Sequence, residues 1–334
     1  MPKYMFFGGN FMTSKKSVRR VVAATVMGAT LALSSTGIAN AAPNVSIEKL
    51  LTDNVTQPTD TSPRVTPTEN KTITPGSGNG YWEVGSDGGV FAYGDAQFAG
   101  SAAGITDSPI VGIAKTKTGG GYWLVAENGA VFAFGDAEFY GSAHDIDLAA
   151  PIVGIERSAS GSGYYMVAAD GGIFAFGDAT FYGSAASLHL DWGTNPVLSM
   201  RATTTGQGYW MTAADGGVFA YGDAQFYGTA HTYNPDYPTI GLERTADDSG
   251  YWQVGIDGGV FSFGSATFHG SAVEDSTFPI LGITRSTSGD GYWLFALDGG
   301  VFAYGDTQFY GSAASLGDDL QAPIIAFARS GADA

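Results

Sequence analysis

Cysteine is absent from all 334 residues, so no disulfide holds this chain together. An exported protein without disulfides must rest on its packed core or on bound ions. Positive charge is scarce: 15 lysines and arginines face 32 aspartates and glutamates, a formal charge of −17. A surface this acidic repels phosphate backbones and anionic lipid, so nucleic acid and membrane surfaces are poor partners. No apolar run is long and uninterrupted enough to span a bilayer, so a membrane-embedded protein is not expected. With no thiol and four histidines, the means for nucleophilic or metal-assisted catalysis are few.

Glycine and aromatic rings are abundant. The 50 glycines and 13% Phe, Trp and Tyr favour many short strands joined by tight turns. Lys15, Lys16, Arg19 and Arg20 precede an apolar stretch over 21–33, and Ala39-Asn40-Ala41 offers a small-residue cleavage site. That order predicts an export signal over 1–41 and a secreted, extracellular or cell-wall-associated protein. Removing it takes away five basic residues and brings the formal charge to −22. Residues 42–79, rich in Thr, Pro, Asn and Asp, read as a flexible linker.

Residues 80–334 are periodic. Tyr-Trp, once Tyr-Tyr, begins at Tyr81, Tyr122, Tyr164, Tyr209, Tyr251 and Tyr292, with spacings of 41, 42, 45, 42 and 41. Each unit continues through an Asp-Gly-Gly turn, Val-Phe-Ala-Phe/Tyr-Gly-Asp-Ala, Phe-Tyr-Gly-Ser-Ala, a variable loop and Pro-Ile-Val-Gly-Ile. Four strands fit each unit: a (PIVGIER), b (GYYMVAA), c (GIFAFG) and d (FYGSA). Four short strands at such a period predict a propeller blade. The first unit begins at strand b, whereas the last is followed by an orphan strand a from Pro323 to Arg329. The expected fold is therefore an all-β, six-bladed β-propeller of four-stranded blades, closed by the C-terminal strand joining the first blade.

The stretch from Asp215 to Thr229 (DGGVFAYGDAQFYGT) resembles the GYW/DGGVFAFGDA/FYGS repeat of secreted actinobacterial proteins. It is also similar to the regulator-of-chromosome-condensation repeat, although that family's Trp and Gln-Leu-Gly are missing. Both resemblances span 80–334 and imply a propeller; neither implies an activity.

Aligning the strand a segments brings Lys115, Arg157, Arg201, Arg244, Arg285 and Arg329 to one position, with Arg201 displaced by one residue from its proline. The c–d turns at the same end carry Asp95, Asp136, Asp178, Asp223 and Asp306, with Ser265 in the fifth copy. Either each cation pairs with a nearby Asp and stitches blades together, or the six form a collar that binds an anion at the channel mouth. Trp192, in the longest d–a loop, and Tyr233 and Tyr237, in the next, lie outside the repeat. They are ligand contacts or a local hydrophobic plug. The repeated Trp82, Trp123, Tyr165, Trp210, Trp252 and Trp293 are expected in the core. One carboxylate per Asp-Gly-Gly turn is turn chemistry rather than a calcium site. His144, His189 and His231, on separate outer loops, are not expected to share a metal. No metal or cofactor is expected.

These features predict a monomeric, non-enzymatic binding or scaffolding module for a cell-envelope glycan or protein partner. The alternative is an extracellular hydrolase with its site at the propeller channel.

Overall fold

The repeats set the architecture through their turns. Asp87 Oδ1 accepts from Gly89 N at 2.9 Å, and Gly88 holds φ +86°, a conformation glycine adopts without strain. The hairpin between strands b and c follows. Asp170, Asp215, Asp257 and Asp298 make the same turn, and Asn128 makes it in the second unit.

The computed structural model describes residues 76–188 and 190–333. The expected signal peptide, residues 42–75 of the linker and His189 lie outside the described residues. Six antiparallel three-stranded sheets are present among the described residues. The first joins β1 (Gly80–Gly85) and β2 (Val90–Gly94) to β18 (Ile324–Arg329). Next come β3 (Ile110–Lys115), β4 (Gly121–Ala126) and β5 (Val131–Gly135), then β6 (Ile152–Arg157), β7 (Gly163–Ala168) and β8 (Ile173–Gly177). They are followed by β9 (Val197–Ala202), β10 (Gly208–Ala213) and β11 (Val218–Gly222). The last two are β12 (Thr239–Arg244), β13 (Gly250–Gly255) and β14 (Val260–Gly264), and β15 (Ile280–Arg285), β16 (Gly291–Ala296) and β17 (Val301–Gly305). Strand a is innermost, and consecutive inner strands lie side by side, with β18 beside both β3 and β15. This is an all-β propeller with six blades.

The core lies between sheets rather than within one. Each gap holds a cluster, as where Trp82 and Tyr122 meet between the first two sheets. The sixth cluster sets Tyr81 and Phe327 of the first sheet against Trp293 and Phe295 of the last. The repeated Trp positions, with Tyr165, are at most 2% exposed, so they are core as expected. Each Trp ties its blade to the segment after strand c, as Trp123 Nε1 does to Glu138 O at 2.7 Å. The strand b tyrosines latch neighbouring blades. Tyr122 Oη donates to Gly100 O at 2.6 Å and accepts from Gly100 N at 3.1 Å. Tyr81 makes the same bond to Gly311 O, at 2.6 Å, across the first and last repeats.

Two expectations need correction. The Phe-Tyr-Gly-Ser-Ala segments are not strands, so each sheet has three strands rather than four. Their backbone groups find other partners: Gly100 N and O bond the next blade's Tyr122 hydroxyl, and Ala102 N donates to Gly88 O in the b–c turn. A Cβ on Gly100 would come within 2.3 Å of the Phe134 ring, so the segment packs its glycine directly on the next blade. Arg201 is not in the basic register. Arg157, Arg244, Arg285, Arg329 and Lys115 stand opposite the strand b Tyr, whereas Arg201 stands opposite Trp210. Its strand keeps the register set by Pro196, and Arg201 takes the place held elsewhere by Glu156 and Glu243.

Candidate functional site: the channel mouth

The inner strands carry the site because of a bulge. In all six sheets the register slips at the second residue of strand a, as between Ile110 and Gly112. A bulge re-aims the extra side chain. The re-aimed residues are Val111, Val153, Leu198, Ile240, Leu281 and Ile325, and all six line the central channel. The ring above this aliphatic one is small: Gly112, Gly154, Ser199, Gly241, Gly282 and Ala326. Inner strands nearly touch there, since a Cβ on Gly112 would lie 3.2 Å from Gly154 Cα.

At the other end of the same strands the lining turns ionic. Lys115, Arg157, Arg201, Arg244, Arg285 and Arg329 all face one cavity, together with Glu156, Glu243 and Asp333. Among the described residues Lys117 alone supplies a Lys or Arg elsewhere. The mouth therefore gathers the positive charge of an otherwise acidic molecule.

The expected pairing with the c–d turn aspartates does not form. Those carboxylates accept from hydroxyls of the a–b turn, as Asp136 does from Thr116 at 2.8 Å and from Thr118. Where the fifth copy has Ser265, Asp247 of the a–b turn supplies the carboxylate and takes Thr245 at 2.8 Å and Ser249 at 2.7 Å. The Ser249 and Thr245 hydroxyls hold Asp247 down to about 2.

The cations pair with other acids. Arg201 Nε lies 3.0 Å from Glu243 Oε2, and its Nη1 lies 3.8 Å from Glu156 Oε2, so one guanidinium links three inner strands. Arg285 Nε stands 3.8 Å from Glu243 Oε1, and Arg244 Nη1 pairs with Asp248 at 3.0 Å. Burial opposes the charge on Arg201, but Glu243 and Glu156 outweigh it and raise its affinity for the proton. Asp333 serves the other side. Its Oδ1 meets Lys115 Nζ at 2.9 Å and also Arg329, and its Oδ2 meets Arg157 at 2.6 Å. Burial, then the neighbouring Arg329, push the Lys115 ammonium down to about 8 against the pull of Asp333. Burial alone would raise the Asp333 carboxyl, but Lys115 and Arg329 hold it well below the carboxylate range.

The aromatic candidates are elsewhere. Trp192, Tyr233 and Tyr237 sit on loops that lead into the starts of inner strands, whereas the cations stand at their ends, so the two sets form separate sites. Trp192 is half-buried against the cluster containing Trp123 and Tyr164, which is the plug arrangement. Trp192→Ala is expected to cost about 1–3 kcal/mol, less than a fully buried Trp would; urea unfolding measures it, and an unchanged midpoint would remove the plug. Tyr237 packs on the cluster with Trp252. Tyr233 is 67% exposed and stacks on Phe261 at 5.8 Å. Among the described residues no group of three or more metal-binding side chains occurs, and no helix is long and apolar enough to cross a membrane.

One set of residues was missed by the sequence reading. Phe98, Phe139, Phe181, Phe226, Phe268 and Phe309, the first residue of each d segment, are 52–60% exposed. Their recurrence six times in one place was the available signal, and reading the segment only as strand d hid it.

No family model matches the chain, and no curated protein matches it. Among solved structures it is similar to the beta-propeller domain of Myceliophteria thermophila Cps50 (Swd1), at 9% identity over 70% of this chain and 82% of that one, TM-score 0.46. It is also similar to a chain of a nidogen/laminin complex, at 10% identity over 76% of this chain and 99% of that one, TM-score 0.50. At such identities the likeness concerns the fold alone.

Proposed function

We propose that the protein is an exported, non-catalytic propeller that binds and scaffolds a repeating cell-envelope partner, glycan or protein. The observation that carries this reading is the rim of six exposed phenylalanines, one per blade at equivalent positions. Single exposed apolar residues are ordinary. Here the other repeated aromatics of every blade are more deeply covered and this one stays open all six times. Each Phe follows a polar residue, Gln97, Glu138, Thr180, Gln225, Thr267 or Gln308, which suits stacking on a sugar face with a hydrogen bond beside it. Six equal weak contacts on one rigid body give avidity to a partner that itself repeats.

In this reading the ring is closed. The β18–β1 pairing, the Tyr81–Gly311 bond and the core cluster between the first and last sheets support closure. A closed ring fixes the spacing of the six rim residues. The test is retention of the protein on insoluble cell wall, before and after the wall is stripped of protein. Retention on stripped wall assigns a glycan, and its loss on stripping assigns a protein. No retention on either overturns the proposal.

A further inference from the structure

The mouth and the channel beneath it form one continuous site with two chemistries, independent of the rim. The cavities share Ile113, Arg201 and Phe327. The upper one is ionic. The lower, of about 120 Å³, is walled by the six bulge aliphatics and the ring of small residues. Its bulge side chains remain partly open to the lumen, except Ile240, which is 6% exposed.

Asp333 occupies the upper part as a ligand would. Its carboxylate is shared by Lys115, Arg157 and Arg329, which come from three neighbouring inner strands. It is more exposed than they are, at 22% against 11%, 14% and 8% for their side chains. It lies beyond β18, in no strand, and its backbone N–H donates to Lys117 O at 3.0 Å. The same segment is also tied by Lys115 Nζ to Gly331 O, at 2.5 Å, and at its start by Ser330, whose N donates to Gly80 O at 2.8 Å and whose hydroxyl donates to Asp95. Three cations so largely withdrawn from water need an anion between them, since like charges there are otherwise uncompensated. Nothing requires that the anion belong to the chain. An aspartate offers a carboxylate on one methylene and leaves the aliphatic channel below unused. A free acid with an apolar tail would make the same ionic contacts and bury that tail as well.

We propose that the channel mouth is a receptor for a small amphipathic carboxylate. Its head group replaces Asp333 among Lys115, Arg157 and Arg329, and its apolar tail enters the channel between the bulge residues. Asp333 is then the resident competitor that keeps the cradle neutral when no ligand is bound. The other mouth charges are already committed: Arg201 to Glu156 and Glu243, Arg244 to Asp248, and Arg285 towards Glu243.

The experiment is calorimetric titration of the intact protein and of Asp333→Asn with octanoate, acetate and octanamide. Octanoate should bind Asp333→Asn about tenfold or more tightly than the intact protein, because the competitor is gone. Acetate should bind about tenfold or more weakly than octanoate, because it has no tail to bury. Octanamide, which lacks the charge, should not bind. Octanoate should also restore melting temperature lost by the variant. If Asp333→Asn does not fold, the intact protein decides: saturating octanoate should speed hydrogen exchange at the Asp333 amide, which the ligand frees from Lys117 O. The proposal is overturned if octanoate binds neither protein, binds both equally, or is matched by octanamide or acetate. Unchanged exchange in the intact protein overturns it as well, and Asp333 is then a permanent latch.

Discussion

Deletion of residues 323–334 is expected to lower the melting temperature by roughly 10–20 °C, or to abolish cooperative unfolding. β18 is the inner strand of the first sheet, and without it β1 and β2 are a lone hairpin, which is marginal in water. The deletion removes Ile324, which is fully buried, and Phe327, 7% exposed and set against Tyr81 and Phe295. Burial of such side chains contributes about 1.5–3 kcal/mol each. With the lost β ladder and the broken core between the first and last sheets, the total exceeds about 5 kcal/mol, a large part of a domain's stability. At about 2–4 °C per kcal/mol for a domain of this size, the shift follows. Calorimetry checks it, and a truncated protein that melts like the intact one would show that β18 does not complete the ring.

Replacing Glu83 by Gln is expected to stabilise the protein, and increasingly so as pH rises. Glu83 is fully buried in β1, and burial pushes its carboxyl up to about 8, against the opposing Ala313 amide bond. Oε2 accepts from Ala313 N at 2.7 Å, whereas Oε1 has no partner. The fifth blade shows what fits this place. Gln253 accepts from Ala230 N at 2.8 Å through Oε1 and donates from Nε2 to Gly216 O at 3.0 Å. Glutamate can supply that second donor only when protonated. The folded state therefore holds a proton that the unfolded chain, with an ordinary pKa near 4.5, releases. Stability is intact below about pH 4.5 and falls as pH rises towards 8, by about 3 kcal/mol at pH 7. Glu83→Gln has no proton to lose. Its melting point should match that of the intact protein near pH 4 and exceed it by roughly 6–12 °C at pH 7. A difference that does not change with pH would mean Glu83 is ionised in the fold.

What the chain disclosed before its structure, and what it hid, follows the repeat. The five Tyr-Trp pairs with Tyr164-Tyr165, the Asp-Gly-Gly turns and the strand a segments, the orphan one included, were legible because each recurs at a near-constant period and each has a local cause. The basic cluster was legible as a set but not in register. Arg201 was aligned by its charge, whereas the strand is positioned by Pro196 and the hydrophobic alternation after it. Its partners Glu156 and Glu243 occur in only two of six copies, so no period marked them. Asp333 lies outside the repeat altogether. The exposed phenylalanines were visible as residues and hidden as a surface. A Phe-Tyr-Gly-Ser-Ala run reads as a strand until the Tyr hydroxyl of the next blade is seen to satisfy its backbone.

The binding reading is tested most directly by replacing the rim residues in stages. Variants with one, three and all six of Phe98, Phe139, Phe181, Phe226, Phe268 and Phe309 changed to Ser would be compared for retention on insoluble cell wall. These side chains are largely in water already, so melting temperature should move little. Retention should fall with every step, about tenfold or more by the third substitution, as contacts that act together are lost. Retention that stays level through the sixfold variant would contradict the proposal that this propeller binds through its rim.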